Sequence, residues 1–307
     1  MRIGAVALAA ALLAAGCGAS RGGTDVATTP PPAAGTLGAI LSFPGPDVAL
    51  VAGTADYQPG PVRFSFDVVR SDGKAVYRPT ARVWVGRSLA SRPLARATAT
   101  VEPVGVPGKS KAALGGITRV YVARFSLPAT GKYWLVAQPV GGEAIQGMAN
   151  LILTAKSPAP EVGDRAVPSK TPTLASTHGN LRALTTARPP DRELLQYSVA
   201  DSLRAHAPFV VAFATPAFCT SRTCGPVVDV VDAVRKQLAG SGVRFVHVEI
   251  YKDNDPQKGQ NQWVREWRLP SEPWTFLVGR DGRIKARFEG SFSVAELAAA
   301  VKHDLLG

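Results

Sequence analysis

The chain is poor in cysteine, with three in 307 residues, and poor in charge, at 19% against 46% hydrophobic residues. So apolar a composition excludes disorder throughout, because there is enough hydrophobic side chain to bury real cores. Long apolar runs are lacking as well. The stretch "IGAVALAAALLAA" (Ile3 to Ala15) is too short to cross a bilayer as a mature helix, which takes about 20 apolar residues. Clustered basic residues with interleaved aromatics are also missing, and that argues against nucleic acid as a partner. The formal charge of +12 is uneven: 15 basic against 14 acidic residues from Asp191 onward, and 20 against 9 before it. Scattered in this way, the excess reads as a solvated face beside anionic headgroups or wall polymers.

The first residues speak to location. Arg2 precedes the small-residue run, which ends in "LAAGC", Leu13 to Cys17. That ending resembles the lipobox of bacterial lipoproteins, although Ala14 stands where leucine is commonest. The resemblance implies a signal peptide over 1–17, lipidation of Cys17, and a mature chain held by acyl chains to the outer face of the cell membrane. Residues 18–42 then form a flexible, proline-containing tether. With Cys17 assigned to the anchor, two thiols remain in an exported compartment where disulfides persist. They are five residues apart, and a loop that short returns little entropic stabilisation.

Two domains are expected beyond the tether. Over 43–155 seven short segments rich in β-branched and aromatic residues alternate with turn signals such as "SDGK" (Ser71 to Lys74), predicting an all-β antiparallel sandwich. "LPATGKYWL" resembles the tyrosine corner of immunoglobulin-like sandwiches, with Tyr133 opening a strand after a glycine turn. Trp84 and Trp134 are expected in the core. The segment holds no His, Asp and Glu cluster of catalytic character, so a spacer or recognition module is its expected role. Residues 156–190, rich in proline, are expected to be a linker.

From 191 to 307 the pattern becomes helix and strand in alternation. Ser198 opens a short helix before the continuous apolar run "FVVAFA", which has the character of a central strand covered on both faces. After Cys219 and Cys224, Val227, Val231, Val234 and Leu238 recur at helical spacing. A second buried strand, a short helix at 261–269 and a hairpin turned at Asp281-Gly282 follow. Ser293 and Glu296 then form a capping box, with Phe292 and Leu297 as a hydrophobic staple.

This order, with the cysteines after the first central strand and Pro273 just before the hairpin, resembles the thioredoxin fold over roughly 192–307. The resemblance implies an α/β thioredoxin-like domain, a cis-proline at Pro273 facing the sulfurs, and a redox disulfide between Cys219 and Cys224. The C-x4-C spacing departs from C-x2-C, and Val227 occupies the place of the second cysteine in C-G-P-C. Two overlays stay open. Either Cys224 is the helix-capping nucleophile, or Cys219 is the exposed attacking thiol that Cys224 resolves. Helix-start N–H groups favour a thiolate, and Cys224 fits that position because Gly225 and Pro226 follow it; Arg222 could add positive potential.

Other chemistries compete. Sco-type copper proteins share the fold and the anchor, with near-spaced cysteines and a distant histidine. Here the spacing differs, His247 lies inside an apolar strand, and His206 and His303 are poorly placed. Thr215 lies four residues before Cys219, which is not the thiol peroxidase pattern. A binding module with an inert disulfide is the remaining alternative. The expected function is thiol–disulfide exchange on exported proteins with thiols or disulfides, coupled to a membrane thiol redox partner, without an organic cofactor; copper is the alternative.

Overall fold

In the computed structural model, residues 31–42, 48–110, 118–219 and 223–307 are described. The lipobox with Cys17 and the charge of Arg222 lie outside them. Within the stretch read as tether, Thr36 caps a one-turn helix, α1 (Leu37–Leu41), by accepting the Ala39 N–H, and Leu37 is buried.

Seven strands follow, each over a segment that alternation predicts: β1 (Val48–Ala52), β2 (Gly60–Arg70), β3 (Thr80–Gly86), β4 (Ala95–Pro103), β5 (Arg119–Leu127), β6 (Gly131–Pro139) and β7 (Gly147–Leu153). All neighbouring pairs are antiparallel, in the order β1-β2-β5-β4-β3-β6-β7. The β3–β4 hairpin, in register from Thr80 opposite Thr100, joins the strands into one continuous sheet where two facing sheets are expected. One core collects the inward residues of all these strands, with Phe64, Phe66 and Tyr121 in ring contact. Buried Tyr133 donates its hydroxyl to the Ala129 carbonyl at 2.7 Å, the backward bond of a tyrosine corner. Trp84 and Trp134 are not core residues. Alternation turns Val83, Val85, Tyr133 and Leu135 inward, so the indoles take the outer face, half-buried, and Lys132 Nζ stands 4.5 Å from the Trp134 ring centre.

The proline-rich stretch 156–190 is packed along much of its length. Gly163 and Ala166 donate to Ile284 and Gly282, Ile284 donates to Asp164, and Ala159 and Ala166 enter the core of the second sheet. The stretch includes a one-turn helix, α2 (Leu181–Leu184), and a cis Arg188–Pro189 bond.

The second sheet has four strands. Ser198 caps α3 (Val199–Arg204), which leads into β8 (Phe209–Phe213); α4 (Cys224–Gln237) connects β8 to β9 (Arg244–Val248). Asn261 caps α5 (Gln262–Glu266), and β10 (Trp274–Val278), β11 (Ile284–Glu289) and α6 (Val294–Val301) complete it. Its order is β11-β10-β8-β9, with β8 and β9 parallel and the other pairs antiparallel. Every residue of β8 and β10 is buried because both faces are covered. Val210, Ala212 and Leu277 meet α4 and α6, whereas Phe209, Val211, Phe213 and Phe276 meet Trp267 and Val199 on the other side. Ser293 caps α6, but the Glu296 carboxylate of the expected capping box turns away to the first sheet. It takes a bidentate pair from Arg63 at 2.7 and 2.8 Å and a contact from Arg124. Arg287 with Asp56 at 3.1 Å, and Glu289 accepting the Ala55 and Asp56 N–H groups, add to the contacts between the two sheets. Pro32–Gly307 form one compact unit. Among the described residues no helix is long and apolar enough to cross a membrane.

Asp67, buried on β2, gives a pH signature. Burial pushes its carboxyl up to about 7, against a weaker opposing hydrogen bond from Tyr77. A folded-state value above the unfolded one makes its contribution full below pH 4 and lost as pH rises towards 7. Asp67→Asn is therefore expected to stabilise the protein at pH 8 by on the order of 2 kcal/mol, and to have a smaller effect at pH 4. Urea unfolding midpoints at the two pH values measure this; an equal effect at both would contradict it.

Candidate active site

The site begins where β8 ends. Ala214 still donates to Val248 across the sheet, and then the chain turns, with the Phe218 and Cys219 N–H groups donating to the Thr215 carbonyl at 3.2 and 3.1 Å. This turn lifts Cys219 off the strand end. Cys224 opens α4, with Gly225 and Pro226 in its first turn, where a missing proline N–H costs nothing. Cys219 and Cys224 form a disulfide with their Cα atoms 5.9 Å apart, inside the usual range. Cys224 is wholly buried, Cys219 retains 8% exposure, and Val227 is buried beneath them in the same core cluster.

One hydrogen bond distinguishes the two sulfurs. The Cys224 N–H, at the start of the 14-residue α4, donates to Cys219 Sγ at 3.3 Å. A helix start offers unpaired N–H groups and the positive end of the helix dipole, and both favour a thiolate over a thiol. The sulfur that receives this stabilisation is the upstream one.

The opposite wall comes from β10. Its register pairs Trp274 with Phe213, so the residues before Trp274 face those after Phe213. The Glu272–Pro273 peptide is cis, and the Pro273 carbonyl accepts the Gly290 N–H at 3.0 Å, tying the bend to the end of β11. Glu272, half-buried, brings a carboxylate oxygen into a group with both sulfurs in which all three atoms lie within 4.8 Å of one another. Sequence reasoning missed Glu272. The one available signal was its place directly before Pro273.

Aromatic side chains flank the sulfurs. Phe218, 40% exposed beside Cys219, meets Tyr251 edge-on with ring centres 6.5 Å apart. Burial raises the Tyr251 phenol above its ordinary range, and the Glu272 carboxylate raises it further. Behind them Thr186 donates to Glu249 and accepts the Ala217 N–H at 3.1 Å, so the packed proline-rich stretch braces the cysteine turn.

The histidines stand elsewhere. His247 has Nε2 2.9 Å from the Ala214 carbonyl and Nδ1 3.4 Å from the Thr185 hydroxyl, so both ring nitrogens are engaged in the core. His206 faces the Arg280 carbonyl, and His303 pairs with Asp304.

No protein-family model matches the chain, and no curated protein matches it. Among solved structures it is similar to a thiol:disulfide interchange protein of the thioredoxin family from Chlorobium tepidum TLS, at 18% identity over 35% of this chain and 85% of that one, with a TM-score of 0.30. The βαβ unit β8-α4-β9, followed by the hairpin β10-β11 and α6, fits a thioredoxin-like fold, and the close cysteine pair lies at the turn from β8 into α4.

In protein reduced with a phosphine, iodoacetamide is expected to modify Cys219 before Cys224, with a pH midpoint below about 8.5, the ordinary thiol value. Peptide mapping by mass spectrometry reads the order. Prior modification of Cys224 would contradict the assignment.

Proposed function

We propose that this chain is a membrane-anchored, extracytoplasmic thiol–disulfide oxidoreductase of the thioredoxin type. The observation that carries the exchange reading is the Cys219–Cys224 disulfide at the start of α4, with the helix N–H on Cys219 Sγ and cis Pro273 just before the adjacent strand. In the reducing direction the Cys219 thiolate attacks one sulfur of a partner disulfide. That S–S bond breaks, the other partner sulfur leaves as a thiolate, and a mixed disulfide joins the two proteins. The Cys224 thiolate then attacks Cys219 Sγ, releasing the second partner sulfur and restoring the internal disulfide. Two electrons pass to the partner, and a membrane thiol redox partner supplies them again. The same steps run backwards oxidise a partner dithiol.

Pro273 shapes the groove beside the sulfurs, and Phe218 with Tyr251 gives that groove an aromatic rim suited to an exported polypeptide. The Cys17 lipobox supplies the anchor to the outer face of the cell membrane. The first sheet acts as an immunoglobulin-like spacer or recognition module. Its runs β1-β2-β5-β4 and β3-β6-β7 reproduce the strand neighbours of the two sheets of such a sandwich, and the Tyr133 bond supports the same reading.

Trapping tests the reaction. The Cys224→Ser variant is expected to accumulate a mixed disulfide through Cys219 with a disulfide-containing exported protein, whereas Cys219→Ser accumulates none. Non-reducing electrophoresis with mass mapping reads this. Absence of any mixed disulfide from folded Cys224→Ser would sink the proposal.

A further inference from the structure

Reduction changes what the site offers. A closed disulfide is neutral and a poor ligand, but once open it presents two thiols, which a metal can deprotonate, beside a carboxylate. We propose that the reduced protein binds one zinc ion through Cys219 Sγ, Cys224 Sγ and a carboxylate oxygen of Glu272. The site rests on the exchange reading only for the opening of the disulfide, which a chemical reductant also achieves.

Geometry carries the proposal. The three donor atoms lie within 4.8 Å of one another while the sulfurs are still bonded. In a tetrahedral zinc site, with Zn–S about 2.3 Å and Zn–O about 2.1 Å, ligand atoms stand roughly 3.5–3.8 Å apart. Breaking the S–S bond lets the sulfurs part to that spacing, and a small inward movement of the carboxylate completes a three-ligand face. Each ligand is delivered by a different part of the fold: Cys224 by the first turn of α4, Cys219 by the turn after β8, and Glu272 by the cis bend before β10.

Charge and ligand type then select the ion. Two thiolates and a carboxylate bring three negative charges together, and a divalent cation neutralises two of them. The positive end of α4 offsets part of the third. The mixed sulfur and oxygen set suits zinc, which accepts both, whereas copper(I) is satisfied by the sulfurs and gains little from an oxygen ligand. Among the described residues no imidazole joins this group, and His247 engages both ring nitrogens in the core. On binding, two S–H bonds break and their protons go to solvent while two S–Zn bonds and one O–Zn bond form; zinc neither gains nor loses electrons. The metal therefore occupies the same sulfurs that exchange uses, and an oxidant that closes the disulfide expels it.

The test is a Zn2+ titration of the full-length, phosphine-reduced, metal-free protein against a chromophoric chelator, alongside the oxidised protein. One equivalent is expected to bind to the reduced chain and none to the oxidised one. Glu272→Gln is expected to weaken Zn2+ at least about tenfold while leaving copper(I) affinity unchanged, and Glu272→Asp to retain part of the Zn2+ affinity, with circular dichroism confirming that both variants fold. Failure of the reduced protein to take up Zn2+, equal uptake by oxidised protein, or unchanged Zn2+ affinity in folded Glu272→Gln would each overturn the site. Disulfide exchange assayed on the same preparations without zinc separates the two readings. Stoichiometric zinc binding without exchange leaves this site standing and removes the exchange function, and the reverse result removes only this site.

Discussion

The antiparallel pairing of β8 with β10, in the register that sets Phe213 opposite Trp274, is the constraint on which the site depends. Because the strands run in opposite directions, the chain leaving β8 and the chain entering β10 meet at one edge of the sheet. Cys219 therefore leaves that edge as Glu272 and Pro273 arrive at it. A one-residue slip would turn every side chain of a strand to the opposite face. Both strands are fully buried, with bulky aromatics on one face and small residues among those on the other, so such a slip would place Phe213 and Phe276 where Ala212 and Leu277 fit. Core packing thus fixes the position of the sulfurs relative to the carboxylate.

A second constraint is the polar seam between the two sheets. Arg63 and Arg124 converge on Glu296, Arg287 reaches Asp56, and Lys109 bridges Asp229 and Asp232 on α4. Asp232 is buried, and burial would raise its carboxyl; hydrogen bonds with Asp191, Lys236, Arg235 and Lys109 outweigh that and hold it well below the ordinary range. Gly105, at φ +77° in the β4–β5 loop, comes so close to Pro226 that an added Cβ would stand 2.9 Å from its Cβ. A loop of the first sheet therefore touches the very helix whose first turn carries Cys224.

Local pattern made much of this legible. Two-residue alternation located all seven strands of the first sheet, and the unbroken apolar run Phe209–Phe213 marked a strand covered on both faces. Capping residues Ser198 and Ser293 stood at two helix starts. What escaped was set by partners distant in sequence. Glu296 suits a capping box locally, yet Arg63, 233 residues away, takes its carboxylate. The proline-rich 156–190 stretch has a linker's composition, but its backbone finds partners at Gly282 and Ile284, and the Thr186 hydroxyl accepts an N–H of the cysteine turn. Trp84 and Trp134 are large and apolar, yet the alternation of their own strands places them on the outer face. Glu272 carries no motif, and its proximity to the sulfurs exists only after β8 and β10 pair.

The most direct measurement is the reduction potential of the Cys219–Cys224 pair in the purified protein, equilibrated in thiol redox buffers and read by alkylation and mass spectrometry. A working exchange site should titrate as a two-electron couple between about −120 and −270 mV, the span of thioredoxin-type exchange proteins. A pair that stays oxidised below about −300 mV would behave as a structural disulfide and would contradict the account.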